Sequence, residues 1–431
     1  MSDRSSGAHP AHILGPQARY VTTITDPLAE DPGLPAVAVL LGGEAADVLA
    51  AALAPSGAEL RSAAPIDISW WPGDSITVAY SAEVAAPDGT RSWETLVAAA
   101  GDSVPEGALL LDGGPPGTVG VWRAPFDPAL PGFAPALDPR VLAALLADLG
   151  VATDPRSLST RVLSYRPGRR AVIEVSGTAG RIFCKVVRPH KAEGIHRRHR
   201  HLRPHLEVPT SHGFSAEHGV VVLEALPGDT LRDLFATDDD RPDPAQVLAL
   251  LDALPEPFDG ATAWGWRAAE LGGIVAASVP ELSARVGELV DRLERAEAAL
   301  DPVEHPAVPV HGDLHDAQLL VQDGRVTGML DIDTHASGRR LDDLATMVGH
   351  LSTLAMAVPH GEAVRTYARS ALGLFDRTTD PVALRRAVAA VVLGLATGPF
   401  RVVEDDWRAG TEARIELAEM WLDSADELDA G

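Results

Sequence analysis

Strict alternation of apolar and polar residues dominates two stretches of this chain, and helical spacing dominates most of the rest. From Ile66, the segment IDISWWPGDSITVAYSAEV reads as two half-buried strands joined at Pro72-Gly73, because strand side chains point alternately to opposite faces. RSWETLVAAA (91–100) and TVGVWRAP (118–125) continue as strands, so a small, mostly β region closes near Pro131. Ahead of it, AVAVLLGG (36–43) reads as a strand or helix edge and AADVLAAALA (45–54) as a short helix; residues 1–19 are small and polar and are expected to be mobile. LDPRVLAALLADLG (137–150) carries helix punctuation, with Asp138 suited to the cap, Pro139 to the first turn and Gly150 to the stop.

A second β region follows. VLSYRPGRRAVIEVSG (162–177) is a strand, a Pro-Gly turn and a strand, and GRIFCKVVRP (180–189) is a third strand with Lys185 at its middle. KAEGIHRRHRHLRPHL (191–206) has helical spacing, and GVVVLEALPG (219–228) is an apolar strand broken at Pro227-Gly228. From Thr230 the pattern is mainly helical, apart from a turn-rich stretch at 306–345. These shifts predict an α+β protein in three parts: an N-terminal α+β cap domain (1–136), a lobe built on an antiparallel sheet (137–228) and a mainly helical lobe (229–431). WPGDSITVAY (71–80) also echoes RPGRRAVIEV (166–175). Either the first sheet is an inactive duplicate lacking the lysine, or two hairpins resemble each other by chance.

Composition narrows the class. The formal charge of −25 opposes binding to nucleic acid or an anionic membrane and favours cationic partners. One cysteine, Cys184, leaves no internal disulfide and no multi-cysteine zinc site, in keeping with a reducing compartment. The first residues lack the apolar core of a secretory signal, so a cytoplasmic location is expected. The longest nearly apolar run, AVAAVVLGLATGPF (387–400), reads as a buried helix too short to span a bilayer.

The chemistry concentrates in VHGDLHDAQLLV (310–321). One reading makes His311, Asp313 and His315 ligands of a zinc ion. The spacing fits a kinase catalytic loop better, in which an Asp follows a His and an amide side chain and a second Asp follow. Here Gln318 lies five positions after Asp313, and VQDGRVTGMLDID turns at Asp323-Gly324 and returns to Asp331. Such a hairpin brings Gln318 and Asp331 beside Asp313.

With HGDLHDAQLL, GMLDID and GRRLDDLA in place, the chain resembles the aminoglycoside phosphotransferase family, small-molecule kinases related to protein kinases, over roughly 160–350. Gln318 in place of the usual Asn and the Asp331-x-Asp333 pair are similar to maltokinases and their glucosamine-kinase relatives, which also carry an N-terminal cap. The resemblance implies a two-lobed, protein-kinase-like fold with the active site between the lobes. It also implies ATP or GTP as donor, magnesium as cofactor and a small hydroxylated acceptor. Asp313 would be the base, and Gln318, Asp331 and Asp333 the metal ligands. Lys185 would hold the phosphates with Glu193 as its partner, Glu207 being the rival. Gly168 with Arg169 or Arg170 would form the phosphate turn, against a simple polar hairpin tip, and the backbone from Glu224 to Leu226 would meet the purine. His311 would brace the loop, and Asp343 would tie its amides together. Trp407 and the C-terminal acids are candidates for the acceptor pocket, against an ordinary amphipathic helix. The His- and Arg-rich 190–205 stretch reads as a solvated helix face. A non-catalytic nucleotide-binding protein is the alternative.

Overall fold

The computed structural model describes residues 30–112, 117–178, 180–237, 240–359 and 361–431; the stretch 1–19, expected to be mobile, lies outside them. Its contacts divide the chain into two compact units. The first takes Met1–Glu193, His212–Leu223 and Arg401–Asp405, and the second takes Gly194–Ser211, Glu224–Phe400 and Asp406–Gly431.

In the first unit, α1 (Ala36–Leu41) and α2 (Ala45–Leu53) precede a five-stranded antiparallel sheet. Its strands are β1 (Glu59–Trp71), β2 (Ser75–Ala85), β3 (Arg91–Gly101), β4 (Leu109–Asp112) and β5 (Thr118–Arg123), in the order β1-β2-β3-β5-β4. The short α3 (Phe133–Leu137) and α4 (Pro139–Asp148) follow. Asp138 caps α4 by accepting hydrogen bonds from the Arg140 and Val141 amides, as its position before Pro139 predicted. The second sheet comprises β6 (Ser159–Arg166), β7 (Arg170–Gly177), β8 (Gly180–Val187), β9 (Ser211–Ser215) and β10 (Val220–Glu224). Its order, β6-β7-β8-β10-β9, repeats that of the first sheet. In both, the Pro-Gly turn is closed by a cross-strand pair, Trp71 with Ser75 and Arg166 with Arg170. Counting from those pairs, Lys185 opposes Val172, and the matching position of the first sheet is Ala99, opposite Thr77. Ala99 is fully buried. The first sheet therefore holds a methyl group where the second holds an ammonium.

The α+β class expected from the sequence is observed. The two sheets are not separate bodies, however. Ala79, Val97 and Trp122 of the first sheet share one core with Phe133, Leu142, Leu146 and with Ile173, Val175 and Cys184 of the second.

The helix α5 (Pro189–Leu202) leads toward the second unit, which contains α6 (Leu231–Leu234), α7 (Ala245–Asp252), α8 (Ala268–Ser278) and α9 (Ser283–Ala298). The long helices α10 (Arg340–Ala357), α11 (Gly361–Phe375), α12 (Pro381–Leu395), the short α13 (Gly398–Arg401) and α14 (Trp407–Asp429) complete it. Two small sheets interrupt the helices. One joins β11 (Asp229–Thr230), β13 (Leu319–Gln322) and β14 (Arg325–Met329); the other pairs β12 (Ala307–Val310) with β15 (Ala336–Arg339).

The apolar run at 387–400 belongs to a longer segment than its pattern suggested. Pro381–Arg401 is long and apolar enough, by length and composition, to cross a membrane. Much of it is covered by the chain itself: Leu384, Ala387, Val388, Val392 and Leu393 are buried where α12 packs against α10 and α14.

Candidate active site

The loop at 311–318 and the loop at 330–335 are held side by side by strand pairing at both ends. Val310 at the end of β12 pairs with Ala336 at the start of β15. Leu319 of β13 pairs with Met329 of β14, and the Leu330 amide donates to the Gln318 carbonyl at 2.8 Å. Between these clamps His311, fully buried, bridges the loops. Its Nε2 faces the Leu330 carbonyl at 2.9 Å, and its Nδ1 accepts from the Asp313 amide at 3.2 Å. That pair of contacts fixes the proton on Nε2. Burial lowers the His311 pKa, so the ring is neutral. His311 is therefore a brace, and both its nitrogens are occupied, so the zinc triad of His311, Asp313 and His315 is not assembled.

Asp343, near the start of α10, accepts from the His311 amide at 2.7 Å and the Gly312 amide at 2.8 Å, the tie expected from the sequence. Burial pushes its pKa up to about 6, while the two amide hydrogen bonds pull in the opposite direction. Thr334 Oγ donates to the His311 carbonyl at 2.9 Å, which pins the second loop to the first. Asp331 sits in the left-handed region with φ 49°, a conformation that costs a non-glycine residue free energy and persists where the surroundings enforce it.

Gln318 places its side-chain nitrogen 3.1 Å from His315 Nε2. The side-chain carbonyl oxygen is the hard donor that Gln318 can offer a cation. Asp333 follows Asp331 on a short helical turn. An amide oxygen and two carboxylates form the hard-oxygen donor set that suits magnesium, so the residues fit that ion. Beneath them Asp316, fully buried, accepts from Arg232 Nε at 2.6 Å and Nη2 at 3.1 Å. Burial alone would raise its pKa, but hydrogen bonds from His315 and Arg232 and the Arg232 charge hold it well below the carboxylate range.

In the first unit, Lys185 is buried at the middle of β8. Glu193 is exposed on α5 and makes no hydrogen bond or ion pair among the described residues, so its expected pairing with Lys185 is not formed. The helical geometry turns it to solvent. Glu207 pairs with Arg203 instead, at 2.9 Å.

The Pro-Gly turn between β6 and β7 is well anchored. Gly168 adopts φ 65°, which favours glycine. Its amide donates to Asp127 Oδ2 at 2.7 Å, and its carbonyl accepts from Arg188 Nε at 2.8 Å. The buried Asp127 also accepts from the Tyr165 hydroxyl at 2.8 Å, which accepts from Trp122 Nε1 at 3.1 Å. Exposed Arg169 lies at the tip. Arg166, Arg170, Arg188 and Arg401 are near enough to repel it, and Asp67 is the acid among them. Asp67 also meets Arg401 at 3.1 Å. Asp127 and Arg401 were missed by the sequence reading; neither lies in a motif.

At the expected hinge, the Glu224 amide already donates to the Thr210 carbonyl at 2.9 Å, so it is not available to a base. The Leu226 amide donates to no group among the described residues. Two other expectations are corrected. Trp407 is buried against Phe400, with ring centroids 5.0 Å apart, and has no face for a sugar ring. Acids of α14 are taken by arginines of α9 and α12: Glu419 by Arg285, Asp423 by Arg292 and Asp429 by Arg386. The 190–205 stretch is only partly a solvated face, since His199 is buried with Nδ1 at 2.7 Å from the Pro209 carbonyl.

Comparison with known proteins agrees with the motifs. A model of the phosphotransferase enzyme family matches residues 165–383, just over half the chain. No curated protein matches. Among solved structures, the chain is similar to the macrolide 2'-phosphotransferase MphH from Brachybacterium faecium, at 21% identity and a TM-score of 0.40 over 64% of this chain and 97% of that one. Choline kinase from Cryptosporidium parvum Iowa II gives 14% identity and 0.47 over 68% and 97%. The aminoglycoside phosphotransferase APH(4)-Ia, in a ternary complex with ADP and hygromycin B, gives 15% identity and 0.43 over 64% and 97%. The resemblance read from HGDLH, the paired acids and the downstream DLA holds, and the chain belongs to the phosphotransferase enzyme family.

Proposed function

We propose that the protein transfers the γ-phosphate of ATP, with GTP as the other candidate donor, to a hydroxyl of a small molecule: a sugar, an amino sugar or an aminoglycoside. The observation that carries this reading is the pinning of the 311–318 and 330–335 loops by His311, Asp343 and the Leu330–Gln318 hydrogen bond. Phosphoryl transfer demands little covalent chemistry from the protein and much positioning, and this double clamp supports such a role. Asp313 accepts the proton of the acceptor hydroxyl as the new P–O bond forms and the bond to the bridging β–γ oxygen breaks. Gln318, Asp331 and Asp333 would hold magnesium, which neutralises phosphate charge when bound. Lys185 binds phosphate oxygens, and the Gly168–Arg169 turn, with its surrounding guanidinium groups, favours the same anion. The Leu226 amide is the donor offered to the purine. The charge of −25 draws a cationic acceptor over a neutral one.

A panel of sugars, amino sugars and aminoglycosides, screened for acceptor-stimulated ADP formation, tests the proposal. Asp313→Asn is expected to lower turnover by about 10²–10⁴-fold while leaving the MgATP-induced thermal shift intact. Nucleotide binding with no stimulated turnover by any acceptor would instead favour a non-catalytic nucleotide-binding protein.

A further inference from the structure

A compact group of potential metal ligands lies beside the proposed magnesium donors, and it is not the triad suggested by sequence. Asp313, His315 and His350 each offer a donor atom within 4.8 Å of the others. His350 comes from the middle of α10, 35 residues beyond His315. Its ring stacks on His315 with centroids 4.2 Å apart and planes 7° from parallel. Neither ring nitrogen of His350 makes a hydrogen bond among the described residues. Burial, and then the neighbouring His315, lower its pKa to about 3, so it is the neutral ring that binds metals. Arg232 is the nearby cation, and the bidentate Asp316 carboxylate offsets its charge.

We propose that Asp313, His315 and His350 form an inhibitory site for a borderline transition-metal ion, zinc above all, distinct from the magnesium donors. Two imidazole nitrogens and one carboxylate with an open fourth position are a zinc donor set, whereas magnesium prefers oxygen donors. Bonds of about 2.0–2.2 Å require the group to close up, and rotation of one stacked ring about its Cβ–Cγ bond brings a nitrogen inward. The inhibition follows from the ligands. A carboxylate bonded to zinc no longer accepts a proton from an acceptor hydroxyl. The nitrogen that His315 offers is one now facing the Ala317 amide or the Gln318 side chain, so binding also disturbs the loop. The inhibitory part rests on the proposed role of Asp313; the binding part does not.

The test is calorimetric titration of the full chain with zinc chloride, with competition against a chromophoric chelator. One-to-one binding is expected, weakened at least tenfold in His350→Phe, which keeps the ring stack and removes the donor. His350→Ala is the second variant, and unchanged circular dichroism marks a folded control. Absence of stoichiometric binding, or equal binding by the wild type and a folded His350 variant, overturns the site. In turnover assays, zinc is expected to inhibit the wild type and spare His350→Phe, which retains its zinc-free activity; equal inhibition of both overturns the inhibitory role. Failure of all acceptors without zinc counts against the proposed function, whereas the binding measurement still decides the metal site.

Discussion

Gly312, in the loop at 311–318, is constrained in two ways. Its φ is 83°, and a Cβ added there would lie 2.5 Å from the Thr334 carbonyl oxygen. Backbone strain and a close backbone approach therefore both demand glycine. Gly312→Ala is expected to cost about 1–3 kcal/mol of stability, measured by urea denaturation. The Asp313 carboxylate would shift with the loop, and a displacement near 1 Å lowers turnover about 10²-fold. Full activity in that variant would show that the loop tolerates the movement. Asp343 illustrates the opposite choice. Its burial raises its pKa to about 6, yet the ionised carboxylate receives two loop amides. Positioning is retained there at a cost in solvation.

At the scale of elements, the turn of the hairpin β6–β7, proposed to meet phosphate, is held from behind. Trp122, Tyr165 and Asp127 form a buried chain of hydrogen bonds that ends on the Gly168 amide. Asp127→Ala leaves the Tyr165 hydroxyl and the Gly168 amide without their acceptor, at about 1–3 kcal/mol for each buried group left unsatisfied. Looser turn geometry should weaken ATP binding severalfold and adenosine binding much less, by calorimetry. Equal loss for both ligands would place the effect outside the phosphate turn. The repeated strand order of the two sheets gives this element a counterpart, and Ala99 at the position matching Lys185 leaves the first sheet without a cation there.

Across the helical unit, stability rests on apolar packing rather than on the many ion pairs of α14. Leu393 is fully buried in α12, and Gly349 of α10 leaves room for Val391, whose Cγ1 would lie 2.7 Å from an added Cβ. Leu393→Ala should cost about 2–5 kcal/mol. Arg285→Ala should cost less than about 1 kcal/mol, because its partners Glu412 and Glu419 are substantially solvated. Denaturant midpoints of the two variants would check the ranking, and a larger effect of Arg285→Ala would reverse it. The same packing covers much of the apolar segment at Pro381–Arg401.

The sequence by itself determined what short-range physics encodes. Period-two alternation marked β1, β2, β6 and β7; capping residues marked α4; and the turn at Asp323-Gly324 dictated that Gln318 and Asp331 return to each other. It missed β4 and β9, whose four and five residues, LLLD and SHGFS, carry no alternation. It left Trp407 between a ligand face and an ordinary amphipathic helix because exposure is not written in a helical pattern, and the packing against Phe400 decided for the helix. Only tertiary structure brought His350 onto His315, Arg401 to Asp67, Arg232 to Asp316 and Asp127 to the Gly168 amide. These partners stand from 35 to 334 residues apart. A side chain that meets another across the fold leaves no period and no spacing along the chain, since its place is set by how whole elements pack.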